Sequence, residues 1–262
     1  MPQAAPTGTV LLIGGTGEAR RLADLLHDSG IPFLSSLAGV VSDPRLPVGQ
    51  VRLGGFGGAD GLTEYLREQH ISAVVDATHP FASTITRNAT TACSATGIPF
   101  LRLQRPSWVG YPGAPGWTWV ADHPGAAEEL SRITGPIFLT TGRNTLRHFV
   151  SCPPIAAAPV LVRLVEPPDI DLPASWTVLR NRGPFTYQDE VDLMQEHQIA
   201  VLATKDSGGQ LTAAKLDAAD HLGIPVVIVH RPALPPEVDV VDDVAAAQEW
   251  LFRATAPRTA SR

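Results

Sequence analysis

The chain is poor in sulfur, in positive charge and in long apolar runs. Two cysteines, Cys93 and Cys152, stand far apart among 262 residues and belong to no metal-ligand spacing. This excludes a disulfide scaffold and a cysteine-based zinc site, and predicts two buried free thiols in a reduced cytoplasm. No stretch approaches the roughly 20 apolar residues of a membrane span, so no membrane partner is expected. Met1 to Gly8 carries neither a basic nor an apolar segment, so the cytoplasm rather than secretion is expected. Lys and Arg number 20 against 26 Asp and Glu, a net charge of -6. That balance, without a basic stripe, argues against a nucleic-acid partner. The 8 histidines never recur at i, i+4, so a zinc hydrolase is excluded and no metal is expected. A Tyr-x-x-x-Lys pair is missing as well: Tyr65, Tyr111 and Tyr187 are followed four positions on by Gln69, Pro115 and Val191. A short-chain-type reductase is thereby excluded. There is no fixed-period repeat.

Glycine and proline are plentiful, at 23 and 24, and they punctuate short apolar runs rather than forming a low-complexity tract. Thr9–Ile13 is β-branched and apolar, Gly14-Gly15-Thr16-Gly17-Glu18 follows, and apolar residues then recur at helical spacing to Leu26. This is strand, glycine turn, helix. The same alternation continues through Ile31–Leu37, Val51–Leu53, Ile71–Val75 and Ile98–Leu103. A stretch rich in Pro and Gly, 106–116, breaks the series and reads as a connection, with Trp108 and Tyr111 as packing residues. A second series starts at Trp117 and ends with a helix over 243–252. The expected fold is α/β: two Rossmann-like parallel-sheet domains, 8–105 and 117–253, facing a central cleft, with 254–262 as a disordered tail.

Each notable polar cluster falls just after an expected strand, where open parallel sheets bind ligands. Gly14, Gly15, Thr16, Gly17 and Glu18 form a turn that lets backbone amides meet an anion at a helix start, although Arg20 stands where the dinucleotide fingerprint has its third glycine. Ser35 and Ser36 occupy the end of the second strand, where an NAD site carries an acid, and Asp43 is the first acid to follow. With Arg45 and Arg52 nearby, this favours NADPH. Gly54-Gly55-Phe56-Gly57-Gly58 offers a loop with little side-chain bulk, suited to a flat ligand at Phe56 or to the cofactor at Gly55. Asp76-Ala77-Thr78-His79-Pro80-Phe81 crowds an acid, a hydroxyl and an imidazole at one strand end. His79 is the first candidate proton donor there, Lys205 the second, with Asp76 beside them and Thr78 toward the cofactor. Arg143, Arg147, Arg180, Arg182, Lys205, Lys215 and Arg231 place cations near strand exits of the second series; at least half are expected to be solvated surface charges. A non-catalytic nucleotide-binding sensor would share the glycine loops but would have no use for the Thr-His-Pro-Phe edge or for those cations.

Six motifs in register resemble the precorrin-6A reductase family: Ile13-Gly14-Gly15-Thr16, Gly54–Gly58, Asp76–Ala82, Thr140-Thr141-Gly142-Arg143, Arg182-Gly183-Pro184-Phe185 and Lys205-Asp206-Ser207-Gly208-Gly209. The resemblance runs from Val10 to about Pro232. It implies NADPH-dependent reduction of one double bond of a tetrapyrrole, precorrin-6A to precorrin-6B, in cobalamin synthesis. A sister branch of the family acts on the cobalt-containing substrate. Neighbouring enzymes of the corrin pathway are the partners it brings into view. It also implies substrate contacts at Phe56, Thr141, Gly142, Arg143, Arg182, Ser207, Gly208 and Gly209, where arginine suits the carboxylate arms of the macrocycle. Two departures stand out. Val40 replaces an arginine usual in the family after Ser36-Leu37-Ala38-Gly39, a role for which Arg45 is the candidate substitute, and Asp206 stands where a neutral polar residue is more usual.

Overall fold

The computed structural model describes residues 8–39, 46–209 and 212–255. Val40, Asp43 and Arg45, and the tail from 256 on, lie outside the described residues. In chain order the elements begin β1 Thr9–Ile13, α1 Gly17–Asp28, β2 Phe33–Leu37, β3 Gln50–Leu53, α2 Gly58–Glu68, β4 Ile71–Asp76, α3 Ser83–Thr96 and β5 Phe100–Leu103. They continue with β6 Thr118–Val120, α4 His123–Leu130, β7 Ile137–Leu139, α5 Leu146–Val150, α6 Pro153–Ala157, β8 Val160–Leu164 and β9 Trp176–Arg180. The last are α7 Tyr187–Glu196, β10 Val201–Lys205, α8 Ala214–Leu222, β11 Val226–Val229, β12 Asp239–Val241 and α9 Val244–Ala254.

The chain divides into two units, one of residues up to Arg105 together with Pro232 onward, the other Pro106–Arg231. In the first, the strand order is β12-β5-β4-β1-β2-β3, every pairing parallel. The continuous apolar run of β1 splits by strand alternation. Val10 and Leu12 pack with Leu22 and Leu26 of α1 and Leu251 of α9, while Leu11 and Ile13 pack with Leu62 and Leu66 of α2 and Ala92 of α3. In the second unit the order is β6-β11-β10-β7-β8-β9, again all parallel. Its core joins Phe138, Leu161, Leu202 and Ile228 of the sheet to Met194 of α7 and Leu216 of α8.

The two sheets share one plan. From the central strand, β1 or β7, the chain winds outward through two strands, then returns to the other side through two more. The sixth strand is drawn from beyond the series in each case: β12 follows the second unit in sequence but pairs with β5, and β6 precedes β7 but pairs with β11. The expected boundary of 117–253 is corrected accordingly. Leu251, fully buried against α1 residues, carries α9 into the first unit's core. The stretch 106–116 is corrected too, since it folds with the second unit: Trp108 is 2% exposed and its backbone N–H donates to Asp206 Oδ1. An indole of that size is better buried than left on a solvated connection.

Helix α4 starts at His123, because Asp122 accepts from Gly125 N and Pro124 suits a first turn. Cys93 is buried as expected, and burial pushes its thiol up to about 12. Cys152 departs from the expectation, being half-buried.

Candidate active site

In an open α/β sheet the crevice lies where successive connections leave in opposite directions. In the first unit that point falls between β1 and β4, so the Gly14–Gly17 turn and the Asp76–His79 edge meet there through topology. Thr16 closes the base of the crevice. Its hydroxyl donates to Ala77 O at 2.7 Å and accepts from Ala19 N at 3.1 Å, capping α1. The earlier amides of that turn have no intrahelical partner and suit an anion. Gly15 has φ +122°, and a Cβ added at Gly15, Gly54, Gly55, Gly57 or Gly58 would meet nothing within 4 Å. The exits of β1 and β3 are therefore open for a ligand to reach backbone, as a dinucleotide pyrophosphate requires. Glu18, expected at the cofactor, sits inside the helix's first turn and pairs with Arg21 at 3.2 Å and Arg105 at 3.5 Å.

Asp76 has a different task from the proton chemistry expected of it. It is fully buried, and its oxygens accept from Thr78 N at 3.0 Å, Thr78 Oγ1 at 2.7 Å and Thr86 Oγ1 at 2.6 Å. Arg102, also fully buried and its register partner on β5, pairs with it at 2.6 Å. Arg102 donates further to Thr78 Oγ1 at 2.9 Å and Thr78 O at 3.0 Å. The Thr78 hydroxyl, expected to face cofactor, is thus engaged on both sides. Asp76 and Arg102 hold the strand end in shape and present the next residue. His79 is half-buried, and its Nδ1 accepts from Phe81 N at 3.2 Å, which leaves the ring proton on Nε2.

Ser35 and Ser36 are both buried in β2. Ser35 lies opposite Leu12 in register, and its buried hydroxyl has no hydrogen-bond partner among the described residues. Ser36 reaches outward only to Arg52 Nη1, at 3.4 Å.

The second unit repeats the arrangement between β7 and β10. Gly142 has φ +90°, and a Cβ there would sit 3.6 Å from Lys205 Nζ, so the ammonium lies beside the glycine's bare face. Thr141 is buried and accepts from Thr145 Oγ1 at 2.9 Å. Asp206 is the counterpart of Asp76. At 1% exposure it accepts from Ser107 Oγ at 2.6 Å, Trp108 N at 3.0 Å and Arg231 Nε at 2.9 Å. A neutral residue could not satisfy Arg231 there, which accounts for the acid at this position. Ser207, Gly208 and Gly209 follow, with the Trp108 indole donating to Gly209 O at 3.2 Å. Gly208, at φ +67°, has no room for a Cβ against Pro106 O.

The Arg182–Phe185 loop rests on Arg163. That guanidinium stands 3.9 Å from the Phe185 ring centroid and 4.7 Å from that of Phe138, and it pairs with buried Glu190 at 2.6 and 2.9 Å. Arg182 is exposed and Arg143 half-buried. Of the other cations expected for substrate, Arg231 is tied to Asp206, and buried Lys215 donates to Thr212 O at 2.6 Å. Reading the sequence missed Arg102 and Arg163. A single arginine inside an otherwise apolar strand was the available signal for each.

His123 was also missed. Its ring stacks on His148 at 6.0 Å, and burial, followed by the charges of Lys205 and His148, pushes its pKa down to about 4. The unfolded chain binds this proton near 6.5, so between there and about 4 the unfolded state carries more protons and stability falls as pH drops. His123→Phe should flatten the dependence of the urea midpoint on pH across that window. An unchanged slope would remove His123 as its source.

Among the described residues no helix is long and apolar enough to cross a membrane, and no group of three or more His, Cys, Asp or Glu could hold a metal. Two parallel sheets, each with a glycine-bearing turn at its switch point, define a Rossmann-like protein of the doubly wound α/β class. Residues 9–252 match the family described as Precorrin-6x reductase CbiJ/CobK. A precorrin-6A reductase of Rhodococcus erythropolis is 53% identical over 247 residues, which is 94% of this chain and 98% of that one. Its counterpart from Mycobacterium tuberculosis is 46% identical, covering 92% and 96%. A cobalt-precorrin-6A reductase of Priestia megaterium is 30% identical, covering 86% and 91%. The solved structure of a CobK precorrin-6A reductase aligns with a TM-score of 0.88 at 36% identity, over 97% of this chain and 100% of that one. The chain belongs to the precorrin-6x reductase family and is an oxidoreductase.

Proposed function

We propose that the protein reduces precorrin-6A to precorrin-6B with NADPH, in the cytoplasmic synthesis of the corrin ring of cobalamin, beside the neighbouring enzymes of that pathway. The observation that carries this reading is the open glycine turn at the β1/β4 switch point, in a chain whose nearer relatives bear that activity's name. The relative named for the cobalt-containing substrate is the more distant one, which favours the metal-free macrocycle. Bound NADPH supplies the hydride.

Gly15 and Gly17, with the start of α1, take the pyrophosphate through backbone amides, while the Gly14 amide is occupied in the sheet, donating to Ser36 O at 2.9 Å. Gly55 and Phe56 lie at the adjoining strand exit. In the second unit, Arg143 and Arg182 meet the carboxylate arms of the macrocycle, with Thr141, Gly142, Lys205 and Ser207–Gly209 shaping the surface between them. Purified protein should oxidise NADPH only when precorrin-6A is supplied. Oxidation independent of any precorrin, or none with it, would overturn the reading, and binding of NADPH without turnover would favour a sensor.

His79 anchors the macrocycle through Nε2–H rather than donating a proton. An imidazolium would set its own Nδ1–H against the N–H of Phe81, and solvent or the substrate's ring N–H can supply the proton instead. His79→Asn is therefore expected to raise KM with kcat within about tenfold of wild type. A fall in kcat of ~100-fold or more, with loss of a titrating limb, would make it the general acid.

A further inference from the structure

We infer that Arg52 reads the 2′-phosphate of NADPH and sets the preference over NADH. This rests on the reading that the first unit's crevice holds the dinucleotide. Arg52 lies on β3 opposite Ser36 of β2 in register, at the sheet edge that carries the glycine turn. In a doubly wound sheet the pyrophosphate sits after the first strand and the adenosine ribose over the end of the second. An NAD site holds the ribose hydroxyls there with a carboxylate, which would repel a phosphate dianion. Here β2 runs Phe33-Leu34-Ser35-Ser36-Leu37, with Ala38 and Gly39 beyond it, and carries no acid.

The guanidinium is fixed before any ligand arrives. It donates to Gly54 O at 2.6 Å, to Gly55 O at 2.7 Å and to Ser36 Oγ at 3.4 Å. It stands 4.1 Å from the ring centroid of Phe56 and 5.1 Å from that of Tyr65. The two rings meet edge to face at 5.1 Å, so the platform under the charge is itself braced.

Its partners set Arg52 apart from four arginines held elsewhere in the two units. Arg102, Arg105, Arg163 and Arg231 each pair with a carboxylate. Arg52 meets only neutral oxygens and aromatic faces, and no described acid lies within ion-pair distance. Neutral acceptors orient a guanidinium without cancelling its charge. Three of its five N–H groups are engaged, leaving Nε–H and one Nη2–H for a phosphate oxygen. In a protein of net charge -6, a cation held half-buried in one orientation beside open glycines is suited to an anion brought by the ligand.

The test is titration of NADPH and NADH by fluorescence into wild type, Arg52→Gln and Arg52→Lys, with thermal melts to confirm folding. Arg52→Gln keeps an aliphatic stem and a polar end but removes the charge. It should weaken NADPH about 10- to 100-fold, as loss of a charge-assisted contact does, while NADH changes less than threefold. Arg52→Lys should retain part of the preference. Equal weakening of both cofactors would show that Arg52 only shapes the loop, and unchanged selectivity would place the phosphate elsewhere. If wild type binds neither cofactor, the crevice reading falls and this inference falls with it. Should Arg52→Gln fail to fold, adenosine 2′,5′-bisphosphate against ADP on Arg52→Lys decides: loss of less than threefold in the bisphosphate preference overturns the assignment.

Discussion

Arg102→Met is expected to lower stability by about 3–5 kcal/mol, the largest effect of any single change at the first unit's crevice. Asp76 and Arg102 are both fully buried, 2.6 Å apart. Removing the guanidinium strands a carboxylate in the sheet interior, where only Thr78 and Thr86 still donate to it. It also frees the Thr78 carbonyl, so the turn that presents His79 loosens and KM should rise with it. Asp76→Asn in the same chain removes the stranded charge while keeping acceptor and shape. The double variant should therefore recover part of the loss, a coupling of at least about 1 kcal/mol in a urea double-mutant cycle. Additive losses would show that the pair is not the unit described here.

Gly15→Val is expected to weaken NADPH binding by ~100-fold or more, equivalent to roughly 2.7 kcal/mol or more. The space around Gly15 is open, so no clash within the protein opposes a side chain. Two other effects do. A β-branched residue at φ +122° is strained, by about 1–3 kcal/mol, which should lower Tm by several degrees without unfolding the chain. Its methyls would also fill the gap through which a pyrophosphate reaches the backbone. Calorimetric titration separates the two, because strain alone shifts Tm and leaves the affinity of the folded protein near wild type. Normal NADPH affinity in a folded variant would move the pyrophosphate away from this turn, to the Gly142 or Gly208–Gly209 loops of the second unit.

Much of this protein is legible from its residues one after another. Strand, glycine turn and helix are local patterns: Thr9–Ile13 emerges as β1 residue for residue, and the break after Asp76 follows from Pro80. Parallel strands buried on both faces require apolar runs, and ligand chemistry in such sheets collects after them, so Gly14–Gly17, His79, Gly142 and Lys205 could be singled out in advance. Asp122 and Thr186 cap α4 and α7 through neighbours three residues away, a pattern that is also local.

What the tertiary structure alone decided is which strands are neighbours and which polar groups remain available. β12 is three residues long, its edge exposed, and nothing in Asp239-Val240-Val241 points to β5, because pairing across such a distance depends on the whole core of the unit. The same holds for Asp76. An acid at a strand end reads as a catalytic candidate until Arg102, from the adjacent strand, is found in register with it. A charge at a strand end can serve a ligand or satisfy its own fold, and the difference lies in partners that are distant in sequence: Asp76 and Asp206 are held by arginines, whereas Arg52, stacked and oriented, pairs with no described carboxylate.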